Sequence, residues 1–247
     1  MMIREVVGFA GGLALAPLVA AGTLLRGGRL FHSSGVVYRA EVVTDAVSEA
    51  GDEVGGRLVG PALVRLSSGL WKGQDARRPD VLGLAIRFRS DPAVTAEAAE
   101  GDQDLLTATF RSVLSFLPAL LTTDVRSFLW DDYYAGGLFD AGALGRVTLR
   151  IASPRIAAGS KSRLESLDMA VAQGLAIFEL EARAARAGAR YERIARIRLL
   201  ERVELDQSEL CFRPTRVGRG LVPRGLINAM RVVPYAVAQA MRSRHTQ

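Results

Sequence analysis

Short runs of β-branched and apolar residues, separated by turn-forming residues, fill the first third of this 247-residue chain. Residues 35–43 and 56–66 are two such runs and 81–88 is a third, and their spacing predicts neighbouring antiparallel strands. Residues 91–103 make a polar, alanine-rich connection with some helical character. Apolar spacing over 105–121 predicts a helix that ends or kinks near Pro118. Residues 125–134 are aromatic and predict a pocket wall or a core edge. Further on, 146–151 alternates, 164–173 predicts a short helix and 175–182 alternates again. Residues 191–205 predict a long strand with Ile194, Ile197, Leu199 and Val203 as its apolar positions. Residues 182–190 read as a helix or a wide hairpin turn, and 225–244 predict a closing helix that contains Tyr235.

Composition narrows this picture to one body. Hydrophobic residues make up 49% of the chain, enough to bury a sizeable core, and no repeat or Gly/Ser linker divides it. Residues 1–28 stand apart as an apolar N-terminal arm, and 29–247 form a single domain. Within the arm, residues 6–25 carry no charge and have the length that spans a bilayer, but they are rich in Gly and Ala and interrupted by Pro17. Three readings stay open for the arm: a docking arm or buried helix, a membrane-associated segment, and a cleaved signal. The corresponding locations are the cytoplasm, with or without membrane association.

Charge excludes more than it suggests. The net charge of +6 comes almost wholly from arginine, since Lys72 and Lys161 are the only lysines, and no polybasic tract with interleaved aromatics marks a nucleic-acid partner. Cys211 is the single cysteine, so no disulfide forms within the chain; it reads as a small hydrophobe in a strand. A structural zinc site would have only His32 and His245 to help it. The paired acids Asp131 and Asp132 read as solvated.

Candidate chemistry sits at the two ends. Arg29 lies three residues before His32, and Arg231 lies four before Tyr235, which Gln239 and Arg242 follow. A histidine can move a proton between peroxide oxygens, and a tyrosine phenolate can ligate haem iron.

Four motifs in order, Arg29-x-x-His32-x-x-Gly35, Val64-Arg65-Leu66-Ser67, the run from Pro79 through Phe88, and Arg231-x-x-x-Tyr235-x-x-x-Gln239-x-x-Arg242, resemble the haem-pocket motifs of catalases. The likeness covers most of the chain, at about half the length of full-size catalases, and is nearest to small bacterial catalase-related proteins. It implies an α+β fold, a catalase-like antiparallel β-barrel of about eight strands with surrounding helices, holding haem b. It implies His32 as distal acid/base, Ser67 as the hydroxyl on its ring and Tyr235 as the iron ligand. Arg231 would hold the phenolate pKa down, Arg29, Arg65 and Arg242 would meet the propionates, and Gln239 would complete the cofactor-binding set. Partners would be hydrogen peroxide or organic hydroperoxides and a small reductant; assembly into a homo-oligomer is open.

The chain departs from catalases in two places. They carry a distal asparagine shortly after an Asp-Leu pair, whereas this chain reads Asp104-Leu105-Leu106-Thr107-Ala108-Thr109 and has Asn228 as its sole asparagine. Thr107 or Thr109 would be the substitute donor, and peroxidase-like action with weak or no catalase activity is expected. Pro234 interrupts the closing helix one residue before Tyr235. The alternatives are a non-catalytic haem-binding or degenerate barrel and an enzyme that rearranges lipid hydroperoxides. A hydrolase using Ser33 or Ser67 fits least, because no Gly-x-Ser-x-Gly elbow is present.

Overall fold

The computed structural model describes residues 35–71, 76, 78–159, 161–206, 209–225 and 228. They form β1 (Gly35–Thr44), β2 (Gly60–Ser68), β3 (Leu82–Phe88), β4 (Gln103–Ala108), β5 (Tyr133–Tyr134), β6 (Leu138–Asp140), β7 (Arg146–Ala152), β8 (Ile177–Ala184), β9 (Glu192–Val203) and β10 (Val222–Arg224). Each of strands β1 to β4 pairs with the next, β4 continues through β5 to β7, and β7 pairs with β8, β8 with β9 and β9 with β1, always antiparallel. Eight strands therefore close into a barrel, and β6 and β10 make a small flap on β7. Register shifts at Arg39/Ala40 and at Leu180/Glu181 add the local twist that closure needs.

Alternation along the strands fills the barrel. Val36, Tyr38, Val64, Leu66, Leu84, Ile86, Tyr133, Ile151, Leu180 and Ile197 are all buried in one interior cluster. An eight-stranded barrel is just wide enough for side chains to fill, so this is a packed core and not a channel.

Among the described residues three short helices lie on the barrel: α1 (Glu49–Gly56), α2 (Phe116–Thr122) and α3 (Arg163–Ala172). Ser48 caps α1 by accepting from the Gly51 N–H at 3.2 Å. Gly55 is required there, because a Cβ would stand 2.0 Å from the Ile194 carbonyl oxygen where the helix meets β9. A capping box between Ser162 and Glu165 opens α3, which adds Leu167 and Ala170 to the barrel core. The Tyr38 hydroxyl donates to Asp168 and so ties β1 to α3; burial pushes its pKa up and keeps it a donor.

The eight-stranded barrel agrees with the expected barrel architecture and most strands with the sequence pattern, and several elements differ. The run 105–121 is not one helix: it begins inside β4 and then gives a 3-10 turn (Val113–Ser115) followed by α2, with Pro118 in its first turn, where proline costs least. Gly56 closes a helix instead of opening a strand and residues 91–102 contain no helix, while 185–191 are the hairpin turn and not the helix of the two readings. Cys211 lies outside any strand and is half-buried. Asp132 is buried against Arg150 and Arg155, and Asp131 is half-buried, so neither is simply solvated. Among the described residues no helix is long and apolar enough to cross a membrane. The apolar arm and the closing helix lie outside the described residues, Gly225 and Asn228 excepted.

Candidate functional site

Ladder register sets out the outer barrel wall row by row. Gly35 faces Ser67, Ser67 faces Gly83, Gly83 faces Ala108 and Ala108 faces Tyr134. The next row holds Val37, Arg65, Ala85 and Leu106, and the one after it Arg39, Leu63, Arg87 and Asp104. Arg65 and Ser67 thus share one face of β2, as a spacing of two residues dictates. Neither is solvated: they are 3% and 2% exposed.

Gly35 has a specific task beside them. A Cβ at this position would lie 2.7 Å from Arg65 Cζ and from its Nη2, so the glycine leaves the space in which the guanidinium rests. Ser67 Oγ donates to the Gly83 carbonyl at 3.5 Å, which sets the hydroxyl against the start of β3. The acid of the Pro79–Phe88 motif closes a turn: Asp80 Oδ1 accepts from the N–H groups of Leu70 and Val81, both at 2.8 Å. This ties the end of β2 to the start of β3 and fixes the wall's upper edge.

Below Arg65 the wall is clamped by a buried charge network. Arg87 Nε bonds Asp104 Oδ1 at 2.9 Å with both side chains wholly buried. Asp104 also accepts from the Arg213 N–H at 2.8 Å and from Arg216, and Arg87 donates to the Cys211 carbonyl. Leu210 and Phe212 then pack on Val37 and Leu63 as a second, smaller core. The sequence reading passed over this network. Its trace was an arginine on the outward face of an apolar strand.

Of the expected site residues, only Arg65 and Ser67 are described; Arg29, His32, Arg231, Tyr235, Gln239 and Arg242 lie outside the described residues. Both threonines are engaged in hydrogen bonds within the wall. Thr107 is on the inner face and donates to the Leu84 carbonyl at 2.7 Å, while Thr109 Oγ1 accepts from the Leu82 N–H and pairs with Thr123. Ala108 holds the outward position instead, and Asn228 donates its amide to the Leu138 and Arg224 carbonyls. Among the described residues no His/Cys/Asp/Glu group could hold a metal ion.

A flat porphyrin needs a wall of small side chains, an anchor for its carboxylates and an iron ligand. Gly83 and Ala108 are small residues on this wall beside the buried Arg65, whereas Ala85 is packed against the cluster of Val37, Leu63, Leu210 and Phe212. The described tyrosines have other partners: Tyr38 is bonded to Asp168, Tyr133 to the Phe128 carbonyl, Tyr134 to Arg111 and Tyr191 to Thr148. Set against known proteins, the chain matches no protein-family model and no curated protein.

Proposed function

We propose that this chain is a haem b-dependent, peroxide-consuming oxidoreductase of catalase-like type, peroxidase-like and with weak or no catalase activity. The observation that carries the reading is the outer wall of β2–β4. There Gly35 makes room for Arg65, and Ser67 follows on the same face beside Gly83 and Ala108.

Haem would supply an iron centre able to give two electrons to the peroxide O–O bond and to recover them from the small reductant. Arg65 would pair with a propionate, and its burial would strengthen that contact relative to a surface ion pair. His32 stands three residues before Gly35, so the chain can carry it no further than about 11 Å from that Cα, and Gly35 faces Ser67. Ser67 Oγ would then hold the imidazole ring while His32 takes the proton from one peroxide oxygen and returns it to the other. Tyr235 would bind the iron as phenolate, with Arg231 favouring the anion. Ala108 offers no donor to orient a second hydrogen peroxide, which favours an organic reductant over disproportionation.

The same alanine supports a second reading, a non-catalytic haem-binding barrel. Absorption spectra of the purified full-length chain loaded with haem separate the two. A ferric spectrum altered in Tyr235→Phe, and a peroxide reaction lost in His32→Ala with haem retained, are the expected results. Stoichiometric haem with no reaction to hydrogen or alkyl hydroperoxide selects the non-catalytic barrel. Failure to take up haem overturns both.

A further inference from the structure

A groove of about 400 Å³ runs between α2 and β5, within the size range of small-molecule sites. Phe110, Pro118 and Ala119 give it an apolar wall, and Arg111 and Arg155 stand with Tyr134, Asp131 and Asp132 on the polar one. We propose that it binds a small organic carboxylate with an apolar body.

Of the two guanidiniums that line the groove, Arg155 is in an ion pair and Arg111 is in none among the described residues. Asp132 is held by Arg150 at 3.1 Å and by Arg155 at 2.7 Å. Asp131 accepts the Asp124 N–H at 2.6 Å, and Asp124 is itself paired with Arg126 at 2.9 Å. Asp132 is therefore neutralised by two guanidiniums, and Asp131 is engaged by a backbone N–H. Arg111 differs: its Nη2 donates to the Tyr134 hydroxyl at 2.9 Å, its Cζ lies 4.8 Å from the centre of that ring, and among the described residues it takes part in no ion pair. Stacking on an aromatic face holds a guanidinium in one orientation while leaving donors for a carboxylate.

Backbone strain marks the same place. Arg155 is the only non-glycine residue with positive φ among the described residues, at 63°. Its bonds to Asp132 and, at 2.8 Å, to the Trp130 carbonyl hold it there, so a costly conformation keeps a second guanidinium at the rim. Phe110 stacks edge-on against Phe116 with centroids 5.4 Å apart, which fixes the opposite, apolar wall.

Haem plays no part in this binding, so the two proposals can fail separately. The test titrates the purified full-length chain with phenylacetate, 2-phenylethanol and phenethylamine, read by ligand-detected saturation-transfer NMR and calorimetry. Phenylacetate should saturate, phenylethanol should bind more weakly, and phenethylamine should not bind. Arg111→Ala should weaken phenylacetate at least about tenfold, the loss expected for a charged hydrogen-bond partner. Arg111→Lys should keep part of the affinity. Ala119→Trp should fill the groove and abolish binding with an unchanged circular dichroism spectrum. Equal binding of the amine, unchanged affinity in Arg111→Ala, or no saturation below about 10 mM overturns the proposal.

Discussion

Two arcs of one barrel treat their outward side chains in opposite ways. Strand β2 is buried from Ala62 to Ser68 without a break, and β3 and β4 are nearly so, whereas β7 and β8 alternate buried with half-exposed positions. Ion pairs follow the same division. Arg87 and Asp104 on the first arc are 0% exposed, while Arg193 and Glu179 on the second are 27% and 33% exposed. A charge pair tolerates full burial only with hydrogen bonds to its remaining atoms, and the stretch around Cys211–Arg216 supplies them. The covered arc can thus hold chemistry away from water, and it is the arc that carries Arg65 and Ser67.

The largest effect expected from this contrast is at Asp104. Asp104→Ala leaves Arg87 and Arg216 without their carboxylate and should cost about 3–5 kcal/mol in urea unfolding. Arg198→Ala, which breaks an exposed pair with Glu41 at 2.6 Å, should cost under about 1 kcal/mol. Comparable losses for the two would mean that burial does not distinguish the arcs.

The covered arc is also where the sequence was hardest to read. On β8 the alternation Phe178, Leu180, Ala182 announces a strand with one wet face. On β4 both faces are buried, the period of two vanishes, and the strand merges with the apolar residues after it into what looks like one long helix. Much of that following run is not core at all: Leu114, Leu117 and Leu121 are 91%, 71% and 81% exposed. Helix α1 was missed because it has three glycines and only one buried apolar side chain, Val54; its contact with Ile194 is a tertiary fact. The shared face of Arg65 and Ser67 was legible because a spacing of two residues matches the pleat. The Asp104 clamp was not, since its partner Arg216 lies 112 residues away in sequence.

A smaller effect tests whether the covered wall is shaped for its arginine. Gly35→Val would press a side chain into the Arg65 guanidinium and should cost about 1–3 kcal/mol, the range for overpacking. Thermal unfolding measures this loss. On the haem reading, haem titration of the same variant should show a weaker complex, because the propionate anchor has moved. An unchanged melting temperature would show that the guanidinium has room elsewhere.

The smallest effect lies at the seam between the arcs, where two neighbouring acids have shifts of opposite sign. Burial raises the Asp131 carboxyl above its ordinary value of 3.8, despite the Asp124 N–H that favours its anion, and the charge of Asp124 adds to the rise. Asp124 is lowered from the same value, chiefly by its hydrogen bond with Arg126. For Asp131 the folded chain holds a proton that the unfolded chain has released. Its contribution is therefore complete below about 3.8 and is lost as pH rises through the raised value. For Asp124 the contribution is present above 3.8 and is lost as pH falls through the lowered value. Asp131→Asn keeps an oxygen for the Asp124 N–H but cannot ionise. Relative to the parent it should gain stability from acid toward neutral pH, by under about 1 kcal/mol once solvent screening is allowed for. Asp124→Asn should lose stability over its own, lower window. Unfolding free energies of both variants between pH 3 and pH 7 check the pair, on the order of the range set by carboxylate titration. Parallel pH slopes would mean that Asp131 is as well solvated as its neighbour and that the seam belongs wholly to the exposed arc.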